Sequence, residues 1–308
     1  MINNPANKLN PSTYYSKIKN NNLFKSFNFI DYTEKEINSN FPLTCAVGKS
    51  SSSKPKVIEI TNRKLSKKDK PLVIIGKGVT FDTGGVNIKP GTSMRNMKKD
   101  MGGSAIAISL FLLANYFLKK TKIVLIAPIA ENAISSKSMR PGDVYSSVSG
   151  KSVEIAHTDA EGRLLLADAI EKASSYNPCM IIDFATLTGA ARVALGEDLP
   201  AYFCNNETFA KKIENLNKEK LRCWRLPLYS PYLSKIKSQV ADLSNASLDG
   251  MAGSITAALF LQEFLKSPNI PWFHFDTFAW SQDSKGAALQ GLDTVSYTHL
   301  RAHETDTD

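Results

Sequence analysis

The chain has 308 residues, 43% of them hydrophobic and 22% charged, with a formal net charge of +9. That composition excludes a disordered chain, a collagen-like repeat and a disulfide-stapled miniprotein, and the length allows one large domain or two modest ones with a real core. The longest apolar stretches, such as residues 105–113, are about half of a bilayer span, and the polar, Asn-rich start carries no secretory signal. The expected setting is therefore cytoplasmic, with no membrane partner. Four cysteines, Cys45, Cys179, Cys204 and Cys223, lie far apart and form no C-x-x-C pair, which fits reduced thiols.

Residues 1–70 hold 13 Lys/Arg against 5 Asp/Glu, so +8 of the +9 lies there. This segment reads as a solvated, Lys- and Asn-rich surface with scattered aromatics. A nucleic-acid footprint is the sharper alternative, but no nucleic-acid motif accompanies the charge. Residues 50–56 and 64–70 read as turns or loops.

Residues 71–81 (PLVIIGKGVTF) then read as a buried strand closed by Asp82-Thr83-Gly84-Gly85. Residues 102–118 form an apolar helix ending in two lysines, as the helix dipole favours. Strands follow at 122–130 and 153–156. A helix at 162–175 starts directly after an acidic cluster. A buried strand at 180–185 leads into a Thr/Gly-rich turn. Helices at 209–220 and 253–265 and a strand at 272–278 complete the pattern. Strands alternating with helices predict an α/β fold with a mixed or parallel central sheet flanked by helices, in a single catalytic domain. Its divisions are a basic segment 1–70 that opens the domain, a core 71–292, and an atypical tail 293–308. The tail holds two of the four histidines, His299 and His303, without apolar periodicity, and reads as a disordered or non-native extension.

Three glycine-flanked segments place carboxylates where such a sheet builds sites, at the carboxyl ends of strands. They carry Asp82, Asp100 and the pair Asp159 and Glu161. Gly102 and Gly103, just after Asp100, would let other backbone approach closely. Four carboxylates at one point repel each other, and their hard oxygens suit divalent cations such as Mg, Mn or Zn. Two such ions about 3.5–4 Å apart could share Asp82 and Glu161. Singly, each acid reads equally as a surface group, a helix cap or an ion-pair partner. Lys77, Lys89 and Arg163 accompany them, either as structural ion pairs or as groups for substrate oxygens. Beside dications Lys77 could ligate as a neutral amine, and Lys89 or Arg163 could stabilise an oxyanion.

At these residues the sequence resembles the leucyl (cytosol) aminopeptidase family. Residues 157–164 (HTDAEGRL) resemble the family signature Asn-Thr-Asp-Ala-Glu-Gly-Arg-Leu, a long and uncommon string. Residues 76–90, 99–103, 140–143 and 183–189 (DFATLTG) match further family blocks in the right order. The match runs from about residue 2 to about residue 291 and covers the catalytic domain, without the smaller N-terminal domain usual in the family. The resemblance implies a two-metal aminopeptidase whose metal-bridging hydroxide attacks the first peptide bond. Lys77, Asp82, Asp100 and Glu161 would hold one ion, Mn or Zn. Asp82, Asp159 and Glu161 would hold the other. Lys89 would polarise the scissile carbonyl, and Arg163 would hold a bicarbonate that serves as general base. Met97, Thr186 and Gly189 would line the first side-chain pocket, and Leu187 would bind substrate through its backbone. The implied partners are peptides with a free N-terminus, probed by a metal through their α-amine, and sister subunits of a homohexamer with interior-facing sites. No Ser, Cys or Thr nucleophile is required.

Three departures stand out. His157 replaces the signature Asn, residues 274–280 (HFDTFAW) differ from the common family form, and residues 293–308 do not resemble the family terminus. Two rival readings keep the same residues. One is a non-catalytic nucleic-acid-binding or scaffold hexamer, marked by salt-dependent binding that survives loss of Asp82. The other is a different two-metal hydrolase such as a phosphoesterase, marked by turnover of phosphomonoesters instead of aminoacyl amides.

Overall fold

The structure is a computed structural model and describes residues 1–217 and 222–280. In chain order its strands are β1 Asn28–Ile30, β2 Lys56–Thr61, β3 Leu72–Gly76, β4 Gly78–Asp82, β5 Ile123–Asn132, β6 Val144–Ser146 and β7 Ser152–Glu154. They continue with β8 Met180–Ala185, β9 Ala201–Cys204, β10 Trp224–Arg225, β11 Leu243–Ser244 and β12 Trp272–Asp276. The large sheet runs β1-β2-β5-β3-β8-β12-β9-β10, with β4 also paired to β5, and a small sheet runs β11-β7-β6.

The central strands β5, β3, β8 and β12 are mutually parallel. Strands β2 and β9 flank them antiparallel. The sheet is thus mixed, as the α/β pattern predicts. Parallel strands are covered on both faces, and β3 shows this directly: Val73, Ile74 and Ile75 are all fully buried. Side chains alternate between faces. Val73 and Ile75 join Leu166 and Ile170 of the helix Gly162–Ser174 in one apolar cluster, while Ile74 joins Ala107 and Phe111 of the helix Gly102–Phe117 in another. All four central strands end at one edge, at Gly76, Asn132, Ala185 and Asp276.

The predicted single strand 71–81 is two strands with a break at Lys77. There the Lys77 amide donates to Phe184 O at 3.0 Å, and its carbonyl accepts from Ser104 N at 2.8 Å. The backbone is tied to β8 and to a helix start, so it leaves the β-ladder for one residue. Close approach at this corner depends on glycine. A Cβ on Gly103 would lie 2.2 Å from Phe184 O, and one on Gly76 would lie 2.4 Å from Ser104 Cα.

The N-terminal segment is more ordered than its polarity suggests. It forms helices Pro11–Lys19, Glu34–Asn40 and Pro42–Gly48 along with β1 and β2. The first helix buries only Pro11, Tyr14 and Ile18. Its start is fixed by a capping box between Asn10 and Thr13 and by proline at the first turn. Tyr14, Ile18 and Phe24 enter one core cluster, and Ile37, Phe41, Leu43 and Val47 enter the other.

Among the described residues one helical stretch, Met97–Phe117, has the length and apolar composition to cross a membrane. Its Ala107, Ile108, Phe111 and Ala114 are buried, and it packs on β3, β5 and β8, as a core helix does. The helix Glu207–Asn217 starts two residues before its expected position. Its expected last turn and the tail 293–308 lie outside the described residues.

Candidate active site

The strand ends and the loops after them bring the sequence's acids together. Asp82 ends β4, one residue short of a turn in which Gly84 and Gly85 have φ of 86° and 63°. A Cβ on Gly84 would meet Asp159 Oδ1 at 2.9 Å, and one on Gly85 would meet Thr158 Oγ1 at 2.8 Å, so both the conformation and the space demand glycine. Thr158 closes this turn against its own loop: its hydroxyl donates to Gly84 O at 2.6 Å, and Asn87 N donates to that hydroxyl at 2.9 Å. Asp159 and Glu161 follow directly. Glu161 stands at the N-cap of the helix Gly162–Ser174, where the helix dipole favours an anion.

Asp82, Asp159 and Glu161 each present a carboxylate oxygen, and the three oxygens lie within 4.8 Å of one another. Asp100, from the turn before the helix Gly102–Phe117, joins them through Lys77. The Lys77 ammonium lies 2.8 Å from Asp100 Oδ2 and 2.9 Å from Glu161 Oε1, and it donates to Thr186 O at 2.8 Å. Lys89 Nζ lies 2.8 Å from Asp82 Oδ2 and 2.5 Å from Asp159 Oδ1. Lys77, Asp82, Asp100 and Glu161 are all at most 3% exposed.

Four carboxylates thus share two contacting ammonium groups, with the buried charges of Lys99 and Arg163 further out. The protonation equilibria reflect this. Burial, followed by the charge of Asp82, pushes Asp159 up to about 6 and moves Glu161 well above the usual carboxylate range. Burial works against the charged form of both lysines. For Lys77 the carboxylates of Asp100, Glu161 and Asp82 outweigh it, and for Lys89 those of Asp82, Glu161 and Asp159 do, so both are held protonated. With the carboxylates alone as neighbours Lys77 is an ammonium; beside dications its neutral amine is the form that ligates.

The donor set fits divalent metal. Asp100 Oδ2, Asp159 Oδ1 and Glu161 Oε1 are buried and accept no hydrogen bond; the lysine contacts to them are ionic and poorly directed. An unsatisfied buried carboxylate oxygen is costly, and a hard cation is the partner that satisfies several at once.

The remaining predicted residues fall around this cluster. Arg163 is buried in the first turn of the helix, with Nε and Nη1 lacking hydrogen bonds, and burial lowers its guanidinium to about 10. Its Cζ sits 6.0 Å from the Phe260 ring. Thr186 touches the acids directly, its hydroxyl donating to Asp100 Oδ1 at 2.7 Å. Met97 stands one turn before Asp100, whose amide donates to Met97 O at 3.2 Å. Leu187 lies in the turn after β8, and Gly189 starts the next helix. His157 Nδ1 accepts from Asp159 N at 3.2 Å, so the imidazole supports the acid loop.

Three supporting residues escaped the sequence reading. Asn132, at the end of β5, donates to Asp82 Oδ1 at 2.8 Å and to Thr158 O at 3.1 Å. Asn245 donates to His157 O at 2.8 Å and to Ala160 O at 3.2 Å, bracing the acid loop. Asp276 accepts from the turn that carries Leu187 and Thr188. The position of Asn132 at a strand end was a usable signal; Asn245 offered none.

A family model described as "Cytosol aminopeptidase family, catalytic domain" matches residues 1–298. A "Probable cytosol aminopeptidase" of Syntrophotalea carbinolica is 41% identical over 250 residues, covering 81% of this chain and 50% of that protein. A "Cytosol aminopeptidase" of Encephalitozoon cuniculi is 41% identical over 279 residues, covering 88% of this chain and 56% of that protein. The crystal structure of a cytosol aminopeptidase from Coxiella burnetii superposes with a TM-score of 0.84 at 41% identity, over 98% of this chain and 66% of that one. The bottromycin maturation enzyme BotP, in complex with Mn, superposes with a TM-score of 0.86 at 31% identity, over 98% of this chain and 68% of that one. The chain spans about half the length of the curated relatives it matches.

Proposed function

The chain belongs to the cytosol aminopeptidase family, and from that premise we propose that it carries the catalytic centre of a metal-dependent aminopeptidase that removes the first residue of peptides. The observation that carries this reading is the buried acid cluster, in which Asp82, Asp159 and Glu161 bring carboxylate oxygens within 4.8 Å of one another and three carboxylate oxygens lack hydrogen bonds. Lys77, as its neutral amine, with Asp82, Asp100 and Glu161 would hold one divalent ion, and Asp82, Asp159 and Glu161 would hold a second. The Mn complex of BotP supports Mn as one occupant, with Zn the alternative. Divalent ions at this place supply Lewis acidity toward a carbonyl oxygen and lower the pKa of water.

The chain's own residues do the rest. Lys89, held protonated beside Asp82 and Asp159, donates a hydrogen bond to the scissile carbonyl and stabilises the oxyanion as it develops. Arg163, a buried guanidinium with unused N–H groups, would hold an anion such as bicarbonate, which would supply a proton acceptor. Met97, Thr186 and Gly189 form the wall for the first side chain, which favours apolar residues. The backbone of Leu187 orients the substrate. In the family pattern six copies would assemble in the cytoplasm, with residues 1–70 opening the catalytic domain and its core starting at residue 71.

The test is release of a chromophore from a leucine amide by protein loaded with Mn or Zn, repeated with Glu161→Ala. Turnover that disappears in the variant is expected. Equal turnover in both proteins contradicts the reading.

A further inference from the structure

We infer that Asp276 is a positioning residue that aims the Leu187 carbonyl at the substrate, by gripping the turn between β8 and the helix Gly189–Leu195. Asp276 ends β12, opposite Ala185 at the end of β8, and is 3% exposed. Its Oδ1 accepts from both Leu187 N and Thr188 N at 3.1 Å, and its Oδ2 accepts from the Thr188 hydroxyl at 2.6 Å. The next residue completes the join, with Thr277 N donating to Ala185 O at 2.8 Å.

Peptide planarity turns these contacts into an orientation. The Thr186 carbonyl and the Leu187 amide belong to one rigid plane and point in opposite directions. The carbonyl accepts from Lys77 at 2.8 Å, and the amide donates to Asp276, so this plane is clamped between a residue of the acid cluster and the end of β12. The Leu187 carbonyl and the Thr188 amide form the next plane. Asp276 holds that amide, which fixes the Leu187 carbonyl pointing away from Asp276. Thr188 adds a second anchor, because its hydroxyl also accepts from Ala191 N at 3.1 Å and caps the following helix. Asp276 reaches the substrate side through these two peptide planes, and its charge also acts on Arg163 and His274.

The inference rests on the aminopeptidase reading for its kinetic consequence, but its structural consequence is independent of activity. Asp276→Ala raises KM for a leucine amide about tenfold or more with kcat changed much less, since a buried pair of amides loses its acceptor. Asp276→Asn keeps an acceptor for both amides and restores KM to near the parent value. Asp276→Glu keeps the charge but displaces the acceptor by one methylene, and gives the same KM rise as Asp276→Ala; it also serves if the alanine variant does not fold. Hydrogen exchange at the Leu187 and Thr188 amides is faster in Asp276→Ala and Asp276→Glu than in the parent or Asp276→Asn. Unchanged exchange at these amides in both the alanine and glutamate variants overturns the inference, as does an Asp276→Asn that is impaired as much as Asp276→Ala. An inactive parent whose exchange follows the expected order would count against the aminopeptidase reading and leave the positioning role supported.

Discussion

The ammonium of Lys77 stands 2.9 Å from the carboxylate of Glu161, at a break between two strands on one side and at the cap of a helix on the other. Neither group is more than 2% exposed. Two buried charges in contact are stable only as a set, and the set here includes Asp100.

Replacing Lys77 by methionine keeps the volume and removes the charge. Asp100 and Glu161 then face each other unpaired. The variant in chelator is expected to lose about 3–5 kcal/mol of stability, as when one member of a buried pair is removed. Urea unfolding measures this, and addition of Mn²⁺ is expected to recover part of the loss. A variant as stable as the parent in chelator would show that the acids are neutral without Lys77.

Lys89 bridges Asp82 and Asp159 and is 15% exposed at its side chain. Lys89→Gln is expected to lower kcat by about 10²–10³ while changing Mn²⁺ affinity little, the effect of losing one oxyanion donor. Steady-state kinetics with a parallel metal titration separates the two. A fall in metal affinity with kcat unchanged would make Lys89 a structural counter-ion.

Asp168 lies two turns along the helix that follows Glu161, and it accepts from Thr44 N at 2.7 Å, the Thr44 hydroxyl at 2.8 Å and Leu43 N at 3.4 Å. Burial nonetheless pushes its carboxyl up to about 8. The folded chain therefore keeps a proton that the unfolded chain, with an ordinary value of about 4, has already lost. The stability held through this proton is present at low pH and is lost as pH rises from about 4 to about 8. Asp168→Asn carries a permanent stand-in for the protonated acid. Between pH 6 and pH 9 its urea midpoint is expected to fall less than the parent's, and parallel falls would mean that Asp168 is ionised throughout.

What the sequence disclosed follows from chemistry. Asp82, Asp100, Asp159 and Glu161 were legible because each sits beside glycines at a predicted strand end or helix start, and the fold does bring them to one edge. The core strands were legible from their continuous apolar runs. The first three helices were not: Pro11–Lys19 buries only three side chains, and Glu34–Asn40 and Pro42–Gly48 have seven residues each, too few to show a helical period. Lys77 as a strand break was hidden, since its cause is contact with Phe184 and Ser104, far away in sequence. Asn245 and Asp276 were hidden for the same reason: an asparagine in a turn or an aspartate ending a strand is ordinary until the fold shows which loop it holds.

The central claim is that the buried acids are a metal site, and calorimetric titration of metal-free protein with Mn²⁺ tests it most directly. Saturable binding by the parent, lost in Asp82→Asn and in Glu161→Gln while both variants stay folded, is the expected result. Isotherms that are the same in parent and variants would contradict it.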